Sequence, residues 1–277
     1  MKLGIDVAQW QGNIDWNRVN KDFAILKVTK KDNTIEPKLM TNYSGCVKNN
    51  IPVGVYRYVY AKNVAQAQAE AQAIVNIIKS LNIPVGVWLD MEDASIKGIG
   101  KANLTNIINA EAQIIKSAGF NVGIYCNRDW YLNVLDGANL AKIYPFWIAR
   151  YPSSDKGEFN ANSSLNPKAY AKAWQYSSKG KVNGISGYVD MDVLFDDALI
   201  GAVPVATPNV QGFAYYPKYT GTSTSIVTAL AGVGEKDTSK SHRAKIAKAN
   251  GIANYTGTAP QNTQMLNLLK QGKLKKG

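Results

Sequence analysis

Three stretches of the chain echo one another: "PVGVY" at residues 52–56, "PVGVW" at 84–88 and "NVGIY" at 121–125. Each is a short β-branched and aromatic run of the kind that suits a buried strand. They begin about 32 and about 37 residues apart, which leaves room for a strand, a crossover helix and two turns. A repeat of βα units narrows the fold to a parallel sheet covered by helices. The glycine inside each echo marks a close backbone approach. Such crowding favours a closed barrel over a doubly wound sheet, although the intervals alone suit both.

Eight runs in the first 200 residues read as strands: "KLGIDVA", "FAILKVT", "PVGVYRYVY", "PVGVWLDME", "NVGIYCN", "FWIARY", "AKAWQYS" and "YVDMDVLF". Eight is a barrel-sized number. Residues 64–81 and 104–118 carry Ala, Ile and Val at helical spacing, and the gap over 151–171 looks irregular. In "IGAVPVATPNVQG", Pro204 and Pro208 with Gly201 and Gly212 interrupt any period and signal a linker. Beyond it, residues 222–233, 239–249 and 258–270 read as three short helices, with a few extended residues around "GFAYYPKY" before them. The expected architecture is α/β: an irregular (β/α) barrel over residues 1–200, a linker over 201–211, and a small, mainly helical (α+β) module over 212–277. That module alone would be marginally stable.

The formal charge of +12 is uneven: residues 203–277 hold ten Lys and Arg against two Asp and Glu. A basic tail draws polyanions, among them nucleic acid, anionic membranes and walls bearing anionic polymers. A helix-turn-helix over 240–270 is the nucleic-acid reading. It is disfavoured because "APQNTQMLNLLKQG" is Leu-rich and nearly uncharged up to Lys270. No apolar run approaches the ~20 residues of a membrane span, and "KLGIDVAQW" near the N-terminus lacks the features of a signal peptide. The expectations are no nucleic-acid partner, no membrane insertion, and synthesis in the cytoplasm. Cys46 and Cys126 are too few for a disulfide framework and read as reduced core thiols. His242, the single histidine, reads as a surface or cap residue, so neither a metal nor a cofactor is expected.

One strand ends oddly. "PVGVWLDMED" runs from apolar residues into Asp90, Glu92 and Asp93, and burying an unpaired acid costs several kcal/mol. In an extended strand Asp90 and Glu92 share a face, their Cα atoms about 6.6 Å apart. In a parallel barrel that is the end where catalytic residues collect. Two such acids shift each other's ionisation, so one can stay protonated while the other stays charged, as cleavage of a glycosidic bond requires. Strand one ends with Asp6 in "GIDVAQWQG", and Asp190 and Asp192 share a face in "GYVDMDVLF". Acids from the first, fourth and last strands then converge at one end. Asp15, Asp93 and Asp129 read as loop acids or helix caps. Tyr56, Tyr58, Tyr125, Trp147 and Trp174, with Gln175 beside the last, are candidates to meet substrate, because aromatic faces stack on the C–H faces of sugars.

These pieces resemble the family-25 glycoside hydrolases, lysozyme-type N-acetylmuramidases common among phage endolysins. The matching segments are "GIDVAQWQGNIDW", "LKVTKKDN", "PVGVYRYVYA", "WLDMED", "VGIYCN", "WIARY", "WQYSS" and "GISGYVDMDVL", in family order across residues 1–196. The resemblance implies cleavage of the β-1,4 bond between N-acetylmuramic acid and N-acetylglucosamine in peptidoglycan. Glu92 matches the general acid. Asp90 matches its neighbour, which acts as nucleophile or orients the substrate's 2-acetamido group. Asp6 and Asp190 match two outer acids, and Tyr56 a cleft tyrosine. Ala8 stands where many members have Ser, and Lys30 where many have an acid, so no substrate contact is inherited at that edge.

The stretch "HRAKIAKANGIANYTGTAPQNTQMLNLLKQGKLKK" is similar to C-terminal modules of endolysins from phages of clostridia and bacilli. It implies a module that binds peptidoglycan or an associated wall polymer, in an enzyme reaching the wall after the host membrane is breached. Two other classes stay open: a non-catalytic wall-carbohydrate-binding protein, and another barrel glycosidase such as a glucosaminidase or chitinase. Against chitinase, the first acids of the typical Asp-x-x-Asp-x-Asp-x-Glu run are apolar here.

Overall fold

The computed structural model describes residues 1–201, 215–235 and 237–277; residues 202–211 of the expected linker and 212–214 of the extended stretch lie outside them. The chain divides into two compact units, residues 1–208 and 209–277.

The first unit is built on eight strands: β1 (Lys2–Val7), β2 (Phe23–Lys27), β3 (Val53–Tyr58), β4 (Val87–Asp90), β5 (Val122–Asn127), β6 (Phe146–Ala149), β7 (Ala173–Gly180) and β8 (Val189–Leu194). They close into a barrel in chain order. β1 to β7 run parallel, but β8 is antiparallel to both neighbours, β7 and β1. The barrel is therefore not wholly parallel as the sequence suggested. The reason is length: residues 181–188 are too few for the crossover a parallel return demands, so the chain turns back as a hairpin.

Helices α1 (Leu39–Lys48), α2 (Val64–Ile78), α3 (Lys101–Ser117) and α4 (Gly137–Leu140) follow β2, β3, β4 and β5. Asn63 caps α2 by accepting from the Gln66 amide. Residues 150–172 hold no helix, which is the irregularity the sequence showed between β6 and β7. Outward-facing Leu26, Val55, Leu89 and Ile124 pack against Ala71 and Ile74 of α2 and Leu104 and Ile108 of α3 in one apolar cluster. Cys46 and Cys126 are free thiols buried in this layer.

A second cluster holds Phe23, Ile25, Trp88 and Trp147, which alternate with the outward residues and so fill the barrel interior. Two glycines make room for them. A Cβ on Gly123 would lie 2.3 Å from the Trp88 ring, and one on Gly4 would lie 2.4 Å from that of Phe23. Gly86, the middle echo, is different: it precedes β4 in a turn at φ +80°, a left-handed conformation that favours glycine.

In the second unit α5 (Ile226–Gly232), α6 (Lys240–Ala249) and α7 (Ala259–Lys270) surround Tyr216, Leu230, Ile246, Met265 and Leu269. Ser225, Ser239 and a Thr258–Gln261 capping box start the three helices. Tyr215 and Lys275 form an isolated antiparallel bridge. The Leu-rich face of α7 is packed inward. His242 is half-buried, its Nε2 3.3 Å from Glu235, rather than free at the surface. Among the described residues no helix is long and apolar enough to cross a membrane.

Candidate active site

Strand alternation sends Asp6 of β1, Tyr56 and Tyr58 of β3, Asp90 of β4, Tyr125 of β5, Trp147 of β6 and Gln175 of β7 to the barrel interior. All line one cavity of about 230 Å³, together with Glu92 just beyond β4 and Asp190 of β8. Nine of the ten residues singled out from the sequence thus meet in one place. The cavity lies at the C-terminal ends of the parallel strands. Asp190 reaches it although it stands at the start of its strand, because β8 runs the other way and places Asp190 opposite Asp6.

Trp174 is the exception. It precedes Gln175 by one residue, so it faces outward. There it packs with Phe159 and Tyr176 at ring-centroid distances of 6.0 and 5.7 Å and donates its indole N–H to the Arg150 carbonyl at 2.8 Å. It has no access to the cavity, and the expected substrate contact is corrected to a core role.

Two cavity residues escaped the sequence reading, Lys27 and Tyr151. Lys27 ends β2, and its Nζ lies 5.6 Å from the ring centres of both Tyr56 and Tyr58. Its signal was a charge closing an otherwise apolar strand. Tyr151 follows β6 in the irregular segment, where no periodicity predicts a direction.

Hydrogen bonds tie the cavity wall together. Gln175 donates through Nε2 to Asp6 Oδ2 at 2.5 Å, and its Oε1 accepts from Tyr125 at 2.8 Å and from the Tyr151 hydroxyl. Trp147 packs on Tyr125 with ring centres 4.4 Å apart and donates to Asp192 Oδ1 at 3.0 Å. Asp192, on the Asp190 face of β8, lies deeper at 1 % exposure.

Every carboxyl here is harder to ionise than in water. Burial first, then repulsion from Asp190 and Asp192, raises Asp6 well above its ordinary range, opposed by the Gln175 hydrogen bond. Burial and the Glu92 charge raise Asp90 well above its range, opposed by Lys27. Glu92 is raised by burial and held back by Lys27. Asp190 is pushed up to about 6 by burial, then by Asp155 and Glu92. Asp90 Oδ1 accepts no hydrogen bond from the protein, while Glu92 is less enclosed and lines the cavity. The arrangement provides a proton on a reachable carboxyl and further carboxyls whose negative charge a developing cation would stabilise.

The acids left out of the candidate set have local duties. Asp15 accepts from the Asn17 amide, Asp93 from that of Ser95, and Asp129 pairs with Lys97 at 3.0 Å. Among the described residues no group of His, Cys, Asp and Glu is placed to hold a metal ion.

Residues 5–185 match the family described as Glycosyl hydrolases family 25. The autolytic lysozyme of Clostridium acetobutylicum is 26 % identical over 76 % of this chain, a match spanning 60 % of that relative's length. The modular autolysin LytC of Streptococcus pneumoniae, solved with a synthetic peptidoglycan ligand, is similar at 27 % identity and TM-score 0.59 over 70 % of this chain and 46 % of its own. The catalytic domain of endolysin ply40, from bacteriophage P40 of Listeria monocytogenes, shares the fold at 23 % identity and TM-score 0.59, over 72 % of this chain and 95 % of its own.

Proposed function

Because this chain belongs to glycosyl hydrolases family 25, we propose that it is a lysozyme-type N-acetylmuramidase. It cuts the β-1,4 bond between N-acetylmuramic acid and N-acetylglucosamine in peptidoglycan. The observation that carries the reading is the convergence of Asp6, Asp90, Glu92 and Asp190 in one cavity at the strand ends. Glu92, whose raised pKa favours the proton, donates it to the leaving glycosidic oxygen. Asp90, next on the same face, supplies negative charge to the anomeric centre as positive charge builds there. Asp6, oriented by Gln175, and Asp190 opposite it set the field in which these two act.

The second unit, basic and separately packed, is a cell-wall-binding module in this reading, with residues 201–211 as the linker to it. Tethering raises the effective concentration of the cutting site at its polymer. The endolysin-like fold and the clostridial relative support placing the enzyme in phage-driven lysis of a clostridial or bacillar host. There it is made in the cytoplasm and meets the wall after the membrane is breached.

The test is digestion of purified Gram-positive peptidoglycan by the wild type and Glu92→Gln, with new sugar ends reduced by borohydride and identified by mass. New ends on muramic acid, reduced by several orders of magnitude in a folded Glu92→Gln, are expected. Ends on glucosamine would make the protein a glucosaminidase, and no ends from either protein would make it a binding protein.

A further inference from the structure

Two connections leave the barrel at the cavity end and meet one another. The β1–β2 connection begins just past Asp6, and the β7–β8 connection finishes just before Asp190. They pack closely: the Asp15 amide donates to the Gly184 carbonyl at 2.9 Å. Gly184 has φ +90°, and a Cβ there would lie 2.3 Å from the Asp15 carbonyl oxygen, so this joint requires glycine. Between the two connections runs an open groove of about 690 Å³.

The charge of the groove is lopsided. Asp15, its one acid, is engaged locally with the amide and side chain of Asn17. Arg18 and Lys181 are exposed, and neither joins an ion pair among the described residues. Lys181 lies 5.7 Å from the ring of Tyr188, which is 57 % exposed and two residues from Asp190. Asn13, Asn183 and Ser186 supply uncharged donors and acceptors around the two cations.

The geometry points to this groove as a second substrate site, taking the carboxylate-bearing peptide substituents of the polymer whose glycan is cut in the adjacent cavity. It rests on the peptidoglycan reading above and deepens it. While the lactyl carboxyl of each muramic acid is tied up in its amide bond to a peptide, the glycan itself offers little charge for Arg18 and Lys181 to meet, whereas the peptides carry free carboxylates. The planar fork of Arg18 suits a carboxylate, and Lys181 adds a point charge on the facing loop. Along the chain the groove lining starts at Asn13, in the connection that leaves Asp6, and ends at Gly187, in the connection that leads into Asp190, so in this proposal one polymer occupies both places.

Glycan strands of matched length provide the test, with peptides intact or stripped by an amidase and the lactyl carboxylates so freed then capped as neutral methylamides. kcat/KM is measured on both for the wild type and for the double variant Arg18→Ala/Lys181→Ala, at low and high salt. The wild type should favour the peptide-bearing strand about five- to tenfold at low salt, as two exposed ion pairs allow. That ratio should fall to near one in the double variant and, for the wild type, in high salt. A wild-type ratio of one at low salt, or a ratio unchanged by the double substitution, overturns the proposal. Each ratio is taken within one protein, so partial misfolding of the variant leaves it unaltered. If the wild type cuts neither strand, the muramidase reading fails, and equilibrium binding to the same two strands decides the groove. Peptide-dependent binding lost in the double variant would uphold it, and peptide-independent binding would overturn it.

Discussion

Replacing Asp190 by Asn should stabilise the barrel at alkaline pH while impairing its chemistry. Asp190 stands opposite Asp6, and its carboxyl is pushed from 3.8 up to about 6 by burial, then by the charges of Asp155 and Glu92. A carboxyl that holds its proton more tightly in the folded chain contributes its full stabilisation below about pH 4. That contribution is lost as pH rises through about 6. At 1.36 kcal/mol per pH unit the ceiling of the loss is about 3 kcal/mol. Asparagine cannot ionise, so it escapes the loss and also relieves the repulsion that Asp190 exerts on Asp6. Asp190→Asn should therefore unfold with the wild type near pH 3.5 and be more stable by about 2–3 kcal/mol at pH 8. For a unit of about 200 residues, at about 2–4 °C per kcal/mol, the gap in Tm is about 4–12 °C, opening between pH 4 and 6. Calorimetry of both proteins from pH 3.5 to 8, following the barrel's transition, measures it, and peptidoglycan digestion should show the accompanying loss of activity. A Tm gap that does not change with pH, or a variant less stable at pH 8, would refute the reasoning.

Two further perturbations probe the cavity and its support. Lys27 opposes the upward shift of Glu92, so Lys27→Met should move the basic limb of the kcat–pH profile to higher pH; a limb that stays put or moves down would remove Lys27 from the electrostatics of the acid. Arg57, fully buried, pairs with Glu70 at 3.1 Å and donates to Thr29 at 2.6 Å and Asn33 at 2.8 Å. Arg57→Met removes the ion-pair partner of the buried Glu70, a loss of about 3–5 kcal/mol by chemical denaturation, and adding Glu70→Leu should recover most of it.

Local pattern was enough to place the acids. Asp90 and Glu92 share a face because side chains alternate along any strand, and Asp6 closes an apolar run; both facts need only the chain's own period. The same period separates Gln175 from Trp174, but it cannot say which of two adjacent residues faces inward. The sequence favoured both for the cavity, and β7's register with β6 and β8 decided for Gln175. The five helices read from the sequence, α2, α3, α5, α6 and α7, were legible to within a few residues because their apolar stripes and caps are local too, whereas α1 and the single turn of α4 were not read.

What the sequence determined by itself was the set of parts: eight strands, α2 and α3 between them, a basic second module, and carboxylates at strand ends in a spacing suited to acid–base chemistry. Tertiary structure decided which parts meet. Asp190 joins Asp6 only because β8 returns antiparallel, and Tyr151 enters from an aperiodic segment. Arg57 reaches residues of the β2–α1 loop and of α2 that only folding brings beside it. The division has a physical cause: a side chain's face is set by its own backbone, whereas its neighbours, its desolvation and its pKa are set by chain segments far away in sequence.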